Sequence, residues 1–167
     1  MNAFKRVLLS APAVATIRTA VGFVFLYASV GKILDPDGFA ISISHYRLFP
    51  ADAAMLLATT LPWVELLSGL GLVAGMLVRG SSLLTTALLI AFTAAVGTAM
   101  ARGLDISCGC FTSDPAADLV GWRKVAENVL LILSSLIVHR APDDGFSPVR
   151  FILRRLRPHS SPGNFPG

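Results

Sequence analysis

Long apolar stretches, each closed off by charge, divide this chain. The clearest lies between Arg79 and Arg102, where residues 80–101 carry no charge. Its roughly 22 residues, at 1.5 Å each, reach about 33 Å, enough to cross about 30 Å of hydrocarbon. A second stretch, from about residue 53 to 78, is broken only by Pro62 and Glu65. A third, from about 15 to 34, has Arg18 near one end and Lys32 near the other. The weakest, from about 119 to 138, holds Arg123, Lys124 and Glu127 in its first half and a pure apolar run in its second. Four crossings joined by short links predict an all-α fold, an integral membrane antiparallel four-helix bundle over residues 1–141.

Composition agrees. Hydrophobic residues make up 54% of the chain and charged residues 14%, where soluble domains carry about 25% charged. Mean hydropathy is +0.69. This excludes a disordered chain, a collagen-like repeat and a coiled coil, and a count of two cysteines excludes a disulfide-stapled miniprotein. The net charge of +4 is spread among apolar blocks, so it reads as a set of topology determinants and not as a nucleic-acid-binding face. The expected partner surface is the lipid bilayer, with no nucleic acid.

Lysine and arginine counts in the short flanks orient the helices. With both termini on one side, that side holds Lys5, Arg6, Arg18, Arg79, Arg140, Arg150, Arg154, Arg155 and Arg157, nine of the 14 basic residues. Both termini are therefore expected in the cytoplasm, with the 35–52 and 102–122 loops facing outward. Lys5-Arg6 and the apolar run after them imitate a signal peptide. Pro12 interrupts that run, and the reading is a short cytoplasmic arm. Residues 142–167 form a separate segment. Val149, Ile152, Leu153 and Leu156 oppose Arg150, Arg154 and Arg157, as in a helix lying in the headgroup layer, and a Pro/Ser/Gly tail follows.

Small residues suggest how the helices meet. Ala87, Ala91, Ala95 and Ala99 recur at every fourth position, and Gly71 and Gly75 make a GxxxG; both patterns predict close helix–helix crossings. Glu65 falls near mid-bilayer, where a carboxylate is costly. It reads as an ion-paired strut, with Arg18 or Lys32 as partner, or as a proton relay or ligand contact. Glu127 and Asn128 raise the same question, and Arg123 stands at the right spacing to pair with Glu127. In the outward loop, Phe39, Ile41 and Ile43 alternate with small or polar residues before His45, Tyr46 and Arg47, which suggests a segment covering the bundle mouth.

The two cysteines, Cys108 and Cys110, flank one glycine. The topology puts them on the outward side, where disulfides persist. A disulfide needs Cα atoms about 4.4–6.8 Å apart, and residues two apart reach that through a tight bend that Gly109 permits. So small a ring is strained, and strained exposed disulfides are the easily reduced ones. The pair reads as a redox switch; two loop thiols without a role are the alternative. Zinc would need about two more ligands, and only His45 of the histidines is on the outward side, so no metal is expected.

These features resemble the MauE branch of the DoxX-like membrane proteins. The matching residues are Gly31-Lys32, Asp35-Pro36, Tyr46, Pro50, Pro62, Glu65, Gly103, Cys108-Gly109-Cys110-Phe111 and Asn128, across residues 15–138. Thr112 stands where the family motif often has glycine. The resemblance implies an inner-membrane protein that exchanges thiol–disulfide equivalents with a periplasmic thioredoxin-like partner or client enzyme, supporting maturation of a methylamine dehydrogenase-type enzyme. Cys108 and Cys110 would be its reactive pair, and Lys32, Tyr46, Glu65 and Asn128 the candidates for contact with a cofactor. The cofactor that the resemblance admits is a quinone. There is no second cysteine pair to relay electrons from a quinone to the loop. A scaffold with a structural disulfide, or a subunit binding a quinone or other small ligand around Glu65, are the rival readings.

Overall fold

The computed structural model describes residues 11–104 and 122–141. Among these, all regular structure is helical: α1 (Ala11–Leu34), α2 (Pro36–His45), α3 (Ala51–Ala74), α4 (Val78–Ala101) and α5 (Trp122–Arg140). Three helices are long and apolar enough to cross a membrane: Pro12–Leu34 within α1, all of α3 and all of α4. The expected arm before residue 11, the cysteine segment and the 142–167 tail lie outside the described residues.

Local chemistry sets the helix ends. Asp35 caps α2 by accepting the Gly38 N–H at 2.9 Å, and Pro36 follows at the first helical position, where its missing N–H costs nothing. This segment, expected as part of an outward loop covering the bundle mouth, is a helix over most of its length. Its inner face is Phe39, Ser42 and the following Tyr46, while Ile41 is exposed. The chain then reverses between α3 and α4 within residues 75–77. Gly75 adopts the left-handed conformation (φ 69°), and the Met76 N–H bonds back to the Gly71 carbonyl at 3.1 Å. Leu77 is also left-handed, with φ 51°.

α1 packs chiefly on α3, and α4 on α5; α2 lies against α3, with thinner α3–α4 and α1–α5 contacts. The buried stripe of α3 is mostly small (Ala54, Ala58, Pro62, Ser68, Gly69 among Glu65 and Leu72), which lets its neighbours approach. The tight crossing uses glycines that the sequence motif did not single out. A Cβ on Gly22 of α1 would stand 2.7 Å from Val73 Cγ2 and 3.0 Å from the Gly69 carbonyl oxygen. Gly71 and Gly75 serve the α3–α4 turn instead: Gly71 makes room for Ser81, and Gly75 ends the helix. The alanine stripe also differs from expectation. Only Ala99 is buried, Ala87 and Ala91 are exposed, and Ala91 and Ala95 border a cavity.

Candidate functional site

The Gly22–Gly69 crossing sets the register of α1 against α3. Continued along the antiparallel pair, it brings Lys32 level with residue 59, six residues or roughly 9 Å from Glu65 along the axis. Lys32 nevertheless meets Glu65, with its Nζ donating to both carboxylate oxygens at 2.7 Å. The side chain therefore reaches along the helices toward the middle of α3, not out past the nearby end of α1. Both side chains are nearly buried, at 11% and 12% exposure. Phe39 of α2 covers the ammonium, its ring centroid 4.9 Å from Nζ. Pro62, one turn before Glu65, is itself buried and supplies no N–H to the Ala58 carbonyl.

Above this pair lies a cavity of about 370 Å³. Its walls are Phe39, Ile43 and Tyr46 at α2, Leu57 and Leu61 on α3, and Leu88, Phe92 and Ala95 on α4, with Lys32 and Glu65 as the charged part of its lining. A smaller chamber of about 60 Å³ shares Lys32, Glu65, Leu88 and Phe92 with the first and reaches Asn128 on α5. Tyr46 is 6% exposed. Its ring meets Phe92 edge-on, centroids 6.4 Å apart, and its carbonyl accepts from Arg102 Nη1 at 3.1 Å. Burial pushes its phenol up to about 12.

Residues 10–140 of this chain match the family described as "Methylamine utilisation protein MauE". The chain belongs to that family. It is 29% identical over 123 residues to the methylamine utilization protein MauE of Paracoccus denitrificans, covering 73% of this chain and 66% of that one. It is 31% identical over 130 residues to the protein of the same name from Methylorubrum extorquens, covering 77% and 69%. The chain thus spans about two thirds of the length of these relatives. No solved structure matches it. Family and helix composition together make it a membrane protein.

In this MauE-family chain the structure gathers Lys32, Tyr46, Glu65 and Asn128, far apart in sequence, around the two adjoining chambers. Of the two basic residues offered as partners for Glu65, Lys32 makes the pair; Arg18, about four turns earlier in α1, is buried at 2% exposure. The Arg123–Glu127 pair forms at 3.1 Å, and Lys124 adds a second contact to the same carboxylate at 3.3 Å. Cys108 and Cys110 lie outside the described residues. The chain on either side of their segment is placed, however: Leu104 and Val125 both pack against the cluster of Tyr46, Val96 and Ala99.

One polar cluster escaped the sequence reading. Between α4 and α5, Ser135 donates to the Ser82 carbonyl at 2.8 Å and meets the hydroxyls of Thr85 at 2.8 Å and Thr86 at 2.9 Å. His139 Nδ1 lies 3.3 Å from Ser82 Oγ and 3.2 Å from the Arg79 carbonyl. The signal was present as Ser82, Thr85 and Thr86 on one helix and Ser135 and His139 on the other, at spacings of three and four that share a helix face.

Proposed function

We propose that this chain is an inner-membrane thiol–disulfide accessory protein of methylamine utilisation. It crosses the membrane four times as an antiparallel bundle with α5 as the fourth span, both termini in the cytoplasm. Cys108 and Cys110 exchange equivalents with a periplasmic thioredoxin-like partner, in support of maturing an extracytoplasmic enzyme of the methylamine dehydrogenase type.

The observation that supports this reading is where the cysteine segment is attached. Leu104 and Val125, before and after it, pack on the Tyr46 cluster beside the cavity. The segment thus departs from and returns to the end of the molecule that α2 covers. By the charge count this end faces outward, into a compartment where disulfides are kept.

In the exchange, a partner thiolate attacks one sulfur of the Cys108–Cys110 disulfide. The S–S bond breaks as the mixed disulfide forms, and the other cysteine leaves as a thiolate. A second partner thiolate then resolves the mixed disulfide, so the partner departs oxidised and the pair reduced by two electrons. The reverse sequence oxidises the pair.

Cys110→Ser should trap the partner on Cys108 in native membranes, and the adduct should dissolve on reduction. In redox buffers the pair should titrate well above the roughly −300 mV of structural disulfides. A pair that stays oxidised under strongly reducing conditions, in a protein whose Cys→Ser variants still support the client, leaves only a scaffold. Labelling of the reduced cysteines by an impermeant thiol reagent only after the membrane is opened would invert the orientation.

A further inference from the structure

We infer that the two adjoining chambers form a binding site for a neutral, lipid-soluble molecule, its apolar body in the larger chamber and a hydrogen-bond-accepting carbonyl head directed at Asn128 in the smaller.

The larger chamber, at about 370 Å³, falls in the range of pockets that hold small organic ligands, roughly 300–1,000 Å³. Its walls are aliphatic and aromatic, and they are incomplete along the seam between α3 and α4. There Ala91, Ala94 and Thr98 of α4 are exposed, and Phe49 is half-exposed beside them. Two of the helices long enough to span a membrane border this seam, so its opening faces where acyl chains would lie. A ligand arriving from the bilayer needs no aqueous route.

Besides the Tyr46 phenol, a neutral group in the α2 wall, the polar groups of the described lining select the head group. Ser42 and Thr98 give their hydroxyl protons to carbonyls of their own helices, Gly38 and Ala95. Lys32 and Glu65 are spent on each other, and Phe39 covers the ammonium. Asn128 is different. It is 7% exposed, lines the small chamber, and its Nδ2 has no hydrogen-bond partner among the described residues. A buried amide N–H without an acceptor carries its full desolvation cost, so a group that accepts from it is favoured there. An anionic head would face the Glu65 carboxylate, and a cationic head the Lys32 ammonium; in so apolar a chamber either carries a large desolvation cost. A neutral carbonyl meets neither objection. The alanines at 91 and 95, which sequence suggested were packed, are what keep the space open: any larger side chain there would fill it.

This inference does not depend on the cysteines. The test uses the full-length chain in lipid nanodiscs and three labelled probes with the same ten-carbon tail: a decyl-substituted benzoquinone, decanoate and decyltrimethylammonium. The benzoquinone should bind saturably, about one per chain, above its partition into empty nanodiscs, and both charged probes should bind at least about tenfold more weakly. Ala95→Phe, which fills the chamber, should abolish saturable binding, while Gly97→Leu, where a side chain meets open space, should bind as the parent does. Asn128→Leu should weaken the benzoquinone roughly three- to tenfold, the loss of one neutral hydrogen bond. If Asn128→Leu does not fold, Asn128→Ser, whose hydroxyl is too short to reach the same head, serves instead. Absence of saturable binding to the parent chain, as expected if the small chamber holds only water, overturns the inference. So does decanoate binding as tightly as the benzoquinone, or binding indifferent to Ala95→Phe and Asn128 substitution.

Discussion

Two polar regions are built into these apolar helices, and they are made differently. Along the α4–α5 seam, Ser82, Thr85, Thr86 and Ser135 are almost wholly buried, at 0–5% exposure. Each hydroxyl has a partner, and Thr85 and Thr86 each also donate to the Ser82 carbonyl. Around Lys32 and Glu65, by contrast, polar groups border open volume, and Asn128 Nδ2 has no partner among the described residues. Membrane helices use hydroxyls and charges alike as glue. What separates glue from a site is whether the groups satisfy one another and whether space is left beside them.

The sharpest way to break the comparison is to remove one member of the ion pair. Glu65→Leu leaves the Lys32 ammonium nearly buried and uncompensated, and should destabilise the folded protein by about 3–5 kcal/mol, read as a large drop in the melting temperature in detergent. The double variant Lys32→Met with Glu65→Leu should recover most of that loss, since a buried pair replaced by apolar side chains of similar size is often nearly neutral. A double variant as unstable as the single one would mean that the pair organises the surrounding helices in a way packing cannot replace.

The α1–α3 crossing comes next, because it holds the register that lets Lys32 reach Glu65. Gly22→Val places atoms within 2.7 Å of Val73 and against the Gly69 carbonyl, and should cost about 1–3 kcal/mol by forcing the helices apart. Gly80→Ala is the control. Nothing lies within 4 Å of its added Cβ, and alanine is the better helix former, so this variant should match or slightly exceed the parent in thermal stability.

Ser135→Ala tests the other region. It removes the interhelical donor to the Ser82 carbonyl, yet Thr85 and Thr86 keep that carbonyl as their acceptor. The cost should therefore stay between the average of about 0.6 kcal/mol and the maximum of about 1.7 kcal/mol seen for single interhelical hydrogen bonds in membranes, read from the melting curve. A much larger loss would show the seam to be cooperative.

How much of this was legible follows from what sequence can carry. The apolar blocks of α1, α3 and α4 were plain because a bilayer demands about 20 apolar residues in a row. Lys32, Glu65 and Asn128 stood out because polar groups in such blocks are rare. Register was not legible. The pairing of Lys32 with Glu65 depends on Gly22 meeting Gly69, and no local pattern says which glycine meets which. Gly71 and Gly75 misled because a GxxxG looks the same at a crossing and at a helix end. The alanine stripe misled because small residues that admit a neighbour also leave room for a cavity. α2 could have been found: Asp35-Pro36 is a cap followed by a first-turn proline, and Phe39, Ser42 and Tyr46 fall three and four apart.

The smallest effect expected is also the one that reports how well α2 seals the chamber. Desolvation raises the Tyr46 phenol from about 10 to about 12, because the low-dielectric surroundings penalise the phenolate. The folded state therefore holds its proton where the unfolded chain has begun to lose it. The stabilising contribution is complete below about pH 10 and declines as pH rises from 10 to about 12. In a Tyr27→Phe background, where Tyr46 is the remaining tyrosine of the two, tyrosinate absorbance should titrate with a midpoint near 12. Tyr46→Phe should flatten the fall in stability across the same interval. A midpoint near 10 would mean that water reaches the phenol, and the contrast between a sealed seam and a chamber closed over by Phe39, Ser42 and Tyr46 would then have to be redrawn at the α2 end.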